Sequence, residues 1–300
     1  MDLWIIIALM AATAQTARFM LQKHLRSVSL STAGSTFARF IYSAPVIAVV
    51  AIIYVTATGQ AAPNLTPTFW GYAITGGISQ IVATMCVVAL FTQRNFAVGI
   101  TFKKTEVILA AIVGFAVLGD AVTVPTLIAI FIGLAGVLLL SDPPEATGPW
   151  LQRIANRAAG LGLLSGLLFG FSGVAYRGAT LSLSHGDTFY RAIVTLAFVT
   201  AFQMTIMAVW LLWRERGEIT RVLAAWRVAG LVGLFSMIGS LCWFLAFTLQ
   251  TMALVKAVGQ AELLLSLMAG WLVFGETISK REWQGLALLG ASIIMLVLVT

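Results

Sequence analysis

Charge is what this chain has least of. Asp, Glu, Lys and Arg make up 10% of its 300 residues, against roughly a quarter in soluble domains. With 60% hydrophobic residues and a mean hydropathy of +0.99, its surface could not be wetted by water. Lipid must therefore be the solvent for most of its length, and a soluble globular class is excluded. Histidine and cysteine are scarce as well, at two each. His24 and His185 stand in polar connections, while Cys86 and Cys242 stand in apolar runs and read as packing residues, not as a disulfide or metal pair. No HExxH, CxxC, Walker or dinucleotide-binding glycine pattern is present. The sequence thus implies no cofactor and no metal, and it offers no nucleophile–base pair from which to build an enzyme. The net charge of +7 is spread singly between apolar runs. That is the pattern of topology determinants in a bilayer, not of a nucleic-acid surface.

What the chain does have is long apolar runs. Polar or Pro/Gly-bearing breaks divide it into ten segments, at about 3–21, 34–56, 69–92, 98–118, 124–141, 158–176, 188–213, 227–249, 257–275 and 283–299. About twenty apolar residues cross a bilayer as a helix, and unpaired strand edges are prohibitive in lipid. The expected fold is an all-α integral membrane protein of ten transmembrane helices. Ala11–Ala17 has the small residues of a signal-peptidase site, but no basic residue precedes the apolar run, so the first segment is read as a retained helix.

Shifting the second half back by 156 residues aligns Trp70 with Trp226, Cys86 with Cys242 and Glu106 with Glu262, without a gap over about seventy residues. Thr36-Phe37-Ala38-Arg39 resembles Thr188-Phe189-Tyr190-Arg191 at an offset of 152. Two five-helix repeats follow, at 1–141 and 158–300, joined by a Pro-bearing linker at 142–157. Five is odd, so the second copy enters the membrane in the opposite sense: a 5+5 inverted repeat. Thirteen Lys and Arg fall in the odd-numbered connections and two, Arg177 and Lys256, in the even-numbered ones. This bias puts the odd connections in the cytoplasm and both termini outside.

Three motifs occur in register in both halves. They are an arginine early in the second helix (Arg39, Arg191), a Gly-acid pair closing the fourth (Gly119-Asp120, Gly275-Glu276) and a Gly-rich fifth helix (Gly133 and Gly136; Gly290). In these the chain resembles the drug/metabolite transporter superfamily, in particular its EamA-type ten-helix members. Such families often carry a proline where this chain has Val107 and Leu263, and their termini are usually described as cytoplasmic. The resemblance implies a multi-pass protein of the bacterial cytoplasmic (inner) membrane, monomeric or homodimeric, that exports small metabolites such as amino acids.

Glu106 and Glu262 lie about two turns, or about 12 Å, into their apolar segments. An ionisable residue at that depth faces a cavity or a partner by default. The pair could therefore line a central cavity and exchange protons or bind a cationic group. If the helices instead begin near Lys104 and Gln260, both are first-turn glutamates facing a helix dipole. Arg39 and Arg191 could bind a substrate carboxylate or phosphate, snorkel to the interface, or neutralise the glutamates. Trp243 and Tyr42 could give aromatic support, and Gln15, Gln80, Tyr176 and Gln250 are further polar candidates. Gly162, Gly166 and Gly170 form a stripe for close helix packing. The function expected is secondary-active efflux of an amino-acid-like solute by alternating access, driven by protons or by exchange. The alternatives are an uncoupled uptake or exchange facilitator of a polar metabolite and a non-transporting membrane subunit.

Overall fold

The computed structural model describes residues 2–28, 30–90, 103–141, 157–265 and 280–299, and every regular element among them is a helix. The first half supplies α1 (Leu3–Val28), α2 (Thr32–Ala57), α3 (Pro67–Leu90), α4 (Glu106–Leu118) and α5 (Val124–Ser141). The second supplies α6 (Arg157–Leu181), α7 (Thr188–Arg214), α8 (Glu218–Ala224), α9 (Trp226–Leu249), α10 (Met252–Gly259) and α11 (Lys280–Val299). Residues 142–156 of the expected linker and the Gly275-Glu276 pair lie outside the described residues.

Six of these helices, α1, α2, α3, α6, α7 and α9, are long and apolar enough to cross a bilayer, and α4, α5 and α11 are shorter apolar helices. The expectation of ten uninterrupted crossings needs two corrections among the described residues. A seven-residue helix, α8, stands between α7 and α9. The ninth apolar segment is not one helix: α10 ends at Gly259, Gln260 forms a turn, and helix resumes at Ala261.

Polarity is distributed as lipid requires. Phe115, Val124 and Leu298 are 67%, 69% and 79% exposed, whereas Gln22, Ser35 and Gln203 are fully buried. With no water outside the helices, polar side chains have to find partners within the bundle. Trp213, Trp226 and Trp283 are exposed near helix ends, as an interfacial belt would be, but Trp4 is buried in the core.

The helices pack in reciprocal pairs. α3 lies on α6 and α1 on α9; α2 lies on α7 and α5 on α11; α4 meets α6, and α10 meets α1. Small residues permit the close approaches. A Cβ on Gly76 would stand 2.9 Å from the Tyr176 ring, and one on Gly178 would stand 2.9 Å from Tyr72. A Cβ on Gly170, the last glycine of the expected stripe, would stand 3.2 Å from the Glu106 carbonyl oxygen on α4.

α2 and α7 run antiparallel, and each helix's N-terminus is fastened by residues at the other's C-terminal end. At one end Ser31 caps α2 by accepting from Gly34 N at 2.9 Å. Its own N–H donates to Glu218 Oε1 at 2.5 Å and its hydroxyl donates to Glu215, just past α7. Gly34 lacks the Cβ that would collide with the Glu218 carboxylate. At the other end Asp187 caps α7, accepting from Tyr190 N at 2.8 Å. It also accepts from Tyr54 Oη (2.8 Å) and Gln60 Nε2 (3.0 Å), which stand at and just past the end of α2.

The Tyr190 N–H, above all, holds the exposed Asp187 carboxyl below the usual aspartate range; burial opposes it, and Tyr54 and Gln60 add to the lowering. A carboxyl depressed in the folded state stabilises above its unfolded pKa, and that contribution is lost as pH falls through the lower folded value. Asp187→Ala should cost about 1 kcal/mol as a lost N-cap and remove this acid-sensitive component. Thermal unfolding of the two proteins from neutral pH down to about pH 3 checks it, since the difference in Tm should shrink towards the acid end.

Several charges read from the sequence as lying in connections are inside the bundle. Lys103, Lys104 and Lys256 are buried, and Arg177 lies within α6. Arg177 donates to both Asp120 oxygens (3.0 and 3.3 Å) and to the carbonyls of Phe247 and Gln250. Asp120 follows Gly119, whose left-handed backbone (φ 69°) ends α4. The acid therefore ties that helix end across to α6.

Candidate functional site

Both expected glutamates stand at the start of a helix, directly after a turn. In the first half Lys104 and Thr105 form a turn and α4 opens at Glu106. In the second the turn is at Gln260, and Glu262 is the second residue of the helix that resumes. The offset of 156 places Lys104 on Gln260, so the turns are equivalent, and neither contains the proline common at these positions in the resembling families. Of the two expected depths, the structure gives the second: first-turn glutamates. They are nonetheless deep in the protein, at 4% and 8% exposure.

Each glutamate is held by lysine from the opposite half. Glu106 Oε1 lies 3.8 Å from Lys256 Nζ. Glu262 pairs with Lys104 and lies 3.8 Å from Lys103 Nζ. Gln15 Nε2 also donates to Glu262, at 2.7 Å, and Gln15 Oε1 accepts from Trp243 Nε1 at 3.2 Å. Lys256 Nζ sits 4.0 Å from the centre of the Trp243 ring, within cation–π range. That close stacking depends on Gly259, where a Cβ would stand 2.5 Å from the indole. The aromatic rings of Phe19 and Phe169 flank Lys103 at 5.5 and 5.3 Å.

Arg39 makes a different bridge. Its Nη1 donates to Thr84 Oγ1 (3.3 Å) on α3 and its Nη2 to Ser240 Oγ (3.0 Å) on α9. Thr84 and Ser240 are equivalent at the offset of 156, so one guanidinium spans the two halves. Beside it Gln80 Oε1 accepts from Tyr176 Oη and from Gln203 Nε2, both at 3.0 Å. Arg39, Lys256, Gln15, Gln80, Tyr176 and Trp243 are among the residues lining a cavity of about 20 Å³, room for about one water.

The structure thus brings together Glu106, Glu262, Arg39 and Trp243 of the expected set, with Gln15, Gln80 and Tyr176. Neither glutamate lines the cavity itself; Glu106 stands behind Lys256 and Glu262 behind Gln15. The expected arginine–glutamate pairing is replaced by lysine–glutamate pairing, because the arginines are engaged elsewhere. Arg191 lies apart and its Nε donates to the Gly186 carbonyl at 3.2 Å. The resemblance that matched it to Arg39 hides a difference in depth, since α2 begins at Thr32 but α7 only at Thr188. Tyr42 lies between α2 and α8, with its hydroxyl 3.4 Å from the Val222 carbonyl.

Lys103, Lys104, Lys256, Arg18 and Gln203 were missed from the sequence as site residues. Lys256 left a signal: it was one of two basic residues on the side that the charge bias otherwise keeps free of them. Among the described residues no group of three His, Cys, Asp or Glu is placed to hold a metal ion. The arrangement can hold, release and exchange charge across the two halves.

Residues 156–298 match the model of the EamA-like transporter family. No curated protein sequence matches the chain. One solved structure, described as "Crystal structure of protein", shares 14% identity and superposes with a TM-score of 0.67, covering 97% of this chain and 99% of that one. At that identity the likeness establishes a shared fold alone.

Proposed function

From the match of residues 156–298 to the model of the EamA-like transporter family, we propose a secondary-active transporter working by alternating access of two inverted five-helix repeats. The observation that carries this reading is the crossed pairing of Glu106 with Lys256 and of Glu262 with Lys103 and Lys104. Ion pairs that join the halves at a small central cavity are what rocking halves would have to break and remake. The reciprocal packing of first on third, second on second and fifth on fifth helices supports the repeats at 1–141 and 158–300, as does the antiparallel run of α2 and α7.

The cargo is a small organic metabolite, an amino-acid-like solute or a related compound, moved outward across the cytoplasmic membrane. Both termini lie outside. Removing the buried Lys103, Lys104 and Lys256 and the helical Arg177 from the charge count leaves eleven basic residues against none, which supports that orientation. A fluorescent or enzymatic reporter fused after Thr300 that proves active in the cytoplasm overturns it.

Proton coupling and exchange differ in what the glutamates do. A proton-coupled cycle releases a carboxylate from its lysine, protonates it and returns it; an exchange cycle needs only that solute replace the carboxylate. Proteoliposomes loaded with a whole-cell metabolite extract, under an imposed pH gradient, separate the two. Glu106→Gln and Glu262→Gln should each lose about tenfold or more of the gradient-driven exit, the scale of one charge-assisted hydrogen bond. Full gradient-driven exit in both variants sinks the carboxylate mechanism. Exit indifferent to the gradient in the unmodified protein selects exchange.

A further inference from the structure

We infer that the solute carried is a small organic anion, bearing carboxylate or phosphate oxygens on an apolar body. The inference rests on the transport reading and names its substrate class. Among the described residues the centre of the bundle buries five cations, Arg18, Arg39, Lys103, Lys104 and Lys256, none more than 7% exposed. Glu106 and Glu262 are the carboxylates buried with them. Lys256 lies 3.8 Å from Glu106 and Lys103 lies 3.8 Å from Glu262, which Lys104 also meets. A buried charge without compensation costs several kcal/mol, so the cluster is short of negative charge.

The deficit is located at the cavity. Arg39 and Lys256 both reach its wall, and none of the described residues lining it is acidic. The two Nη hydrogen bonds of Arg39 go to neutral hydroxyls. Lys256 is 3.8 Å from Glu106, well beyond the 2.7–2.9 Å of a charge-assisted hydrogen bond, and its ammonium is available to a closer oxygen. The Arg18 guanidinium, 3% exposed, has no hydrogen-bond partner at Nη1. The start of α4 at Glu106 adds an N-terminal dipole whose positive end favours an anion. Trp243, Phe244, Phe247 and Phe169 complete the wall and supply the surface for an apolar body. A zwitterion would bring its own ammonium against this excess of cations, and an amine would bring nothing else.

The test divides the metabolite extract by charge into anionic, zwitterionic and cationic fractions. Each is loaded into proteoliposomes and into protein-free vesicles, and exit is followed by mass spectrometry with carboxylates and phosphates read separately. Exit confined to the anionic fraction is the expected result. Lys256→Gln should slow it about tenfold or more and Lys256→Arg should restore most of it, with elution on size exclusion and thermal unfolding confirming that both variants fold. Exit of amino acids or amines with the anions retained overturns the inference while leaving the transport reading intact. Retention of all three fractions overturns the transport reading itself. Unchanged anion exit in a folded Lys256→Gln overturns the assignment of the anion to this cavity.

Discussion

Glu262→Leu is expected to destabilise the purified protein by about 3–5 kcal/mol, the cost of removing one partner from a buried ion pair. Glu262 answers two lysines, Lys103 and Lys104, each about 2% exposed, and accepts from Gln15 as well. Taking the carboxylate away leaves two ammonium groups in a region already rich in positive charge. The Gln15 amide loses its acceptor, and through Gln15 the Trp243 indole loses its anchor. Against a typical total of about 5–15 kcal/mol such a loss is a large share. The sharper prediction is non-additivity. Lys104→Met alone should also destabilise, but the double variant Lys104→Met/Glu262→Leu should recover part of the combined loss, since both halves of the pair are then absent. Thermal unfolding of the four proteins in one detergent reads the coupling; strictly additive losses would falsify the pair as a structural unit.

Gly136→Leu is expected to break the seam between α5 and α11. A Cβ at Gly136 would lie 2.8 Å from the Gly285 carbonyl oxygen and 2.9 Å from Leu289 N. Those are backbone atoms, which cannot rotate away as a side-chain tip could. The helices must separate, at a cost of at least about 1–3 kcal/mol for overpacking. Separation also lengthens the bond from Ser292 Oγ to the Ala129 carbonyl, now 2.6 Å. Gly290→Leu is the control, on the same pair of helices. Nothing lies within 4 Å of a Cβ there, so it should change stability by no more than about 0.5 kcal/mol. Comparable losses at both positions would mean that helix composition, not the seam, sets the effect.

The difference between those glycines illustrates how far the sequence could be read. A Gly-rich fifth helix was visible in both halves, but which glycine faces a neighbour depends on rotation about the helix axis. Lipid as solvent, the helical class and the equivalence of Glu106 with Glu262 were all legible, because they rest on composition and on rare residues recurring at one spacing. The lysines were not. Lys103, Lys104 and Lys256 stand at the edges of apolar runs, where a basic residue ordinarily marks the membrane surface. Only the turn that precedes each glutamate draws them inward, and no proline announces it. Arg191 failed for the opposite reason: its local motif matches that of Arg39, but the helix around it begins four residues later relative to the motif. Short-range similarity carried no information about depth.

The fastenings at the two ends of α2 and α7 make the pair an interlock. Both are engaged at once, so the two helices are tied together at each end. Their chemistry is unequal. The Asp187 end is an exposed carboxylate held by amide and hydroxyl donors, whereas the Ser31 end is held by two glutamates, one of them, Glu218, buried and braced by Arg221 at 3.0 Å. Acid on the Asp187 side loosens that end through its carboxylate. Two fastenings of different chemistry on one pair of helices can yield one at a time.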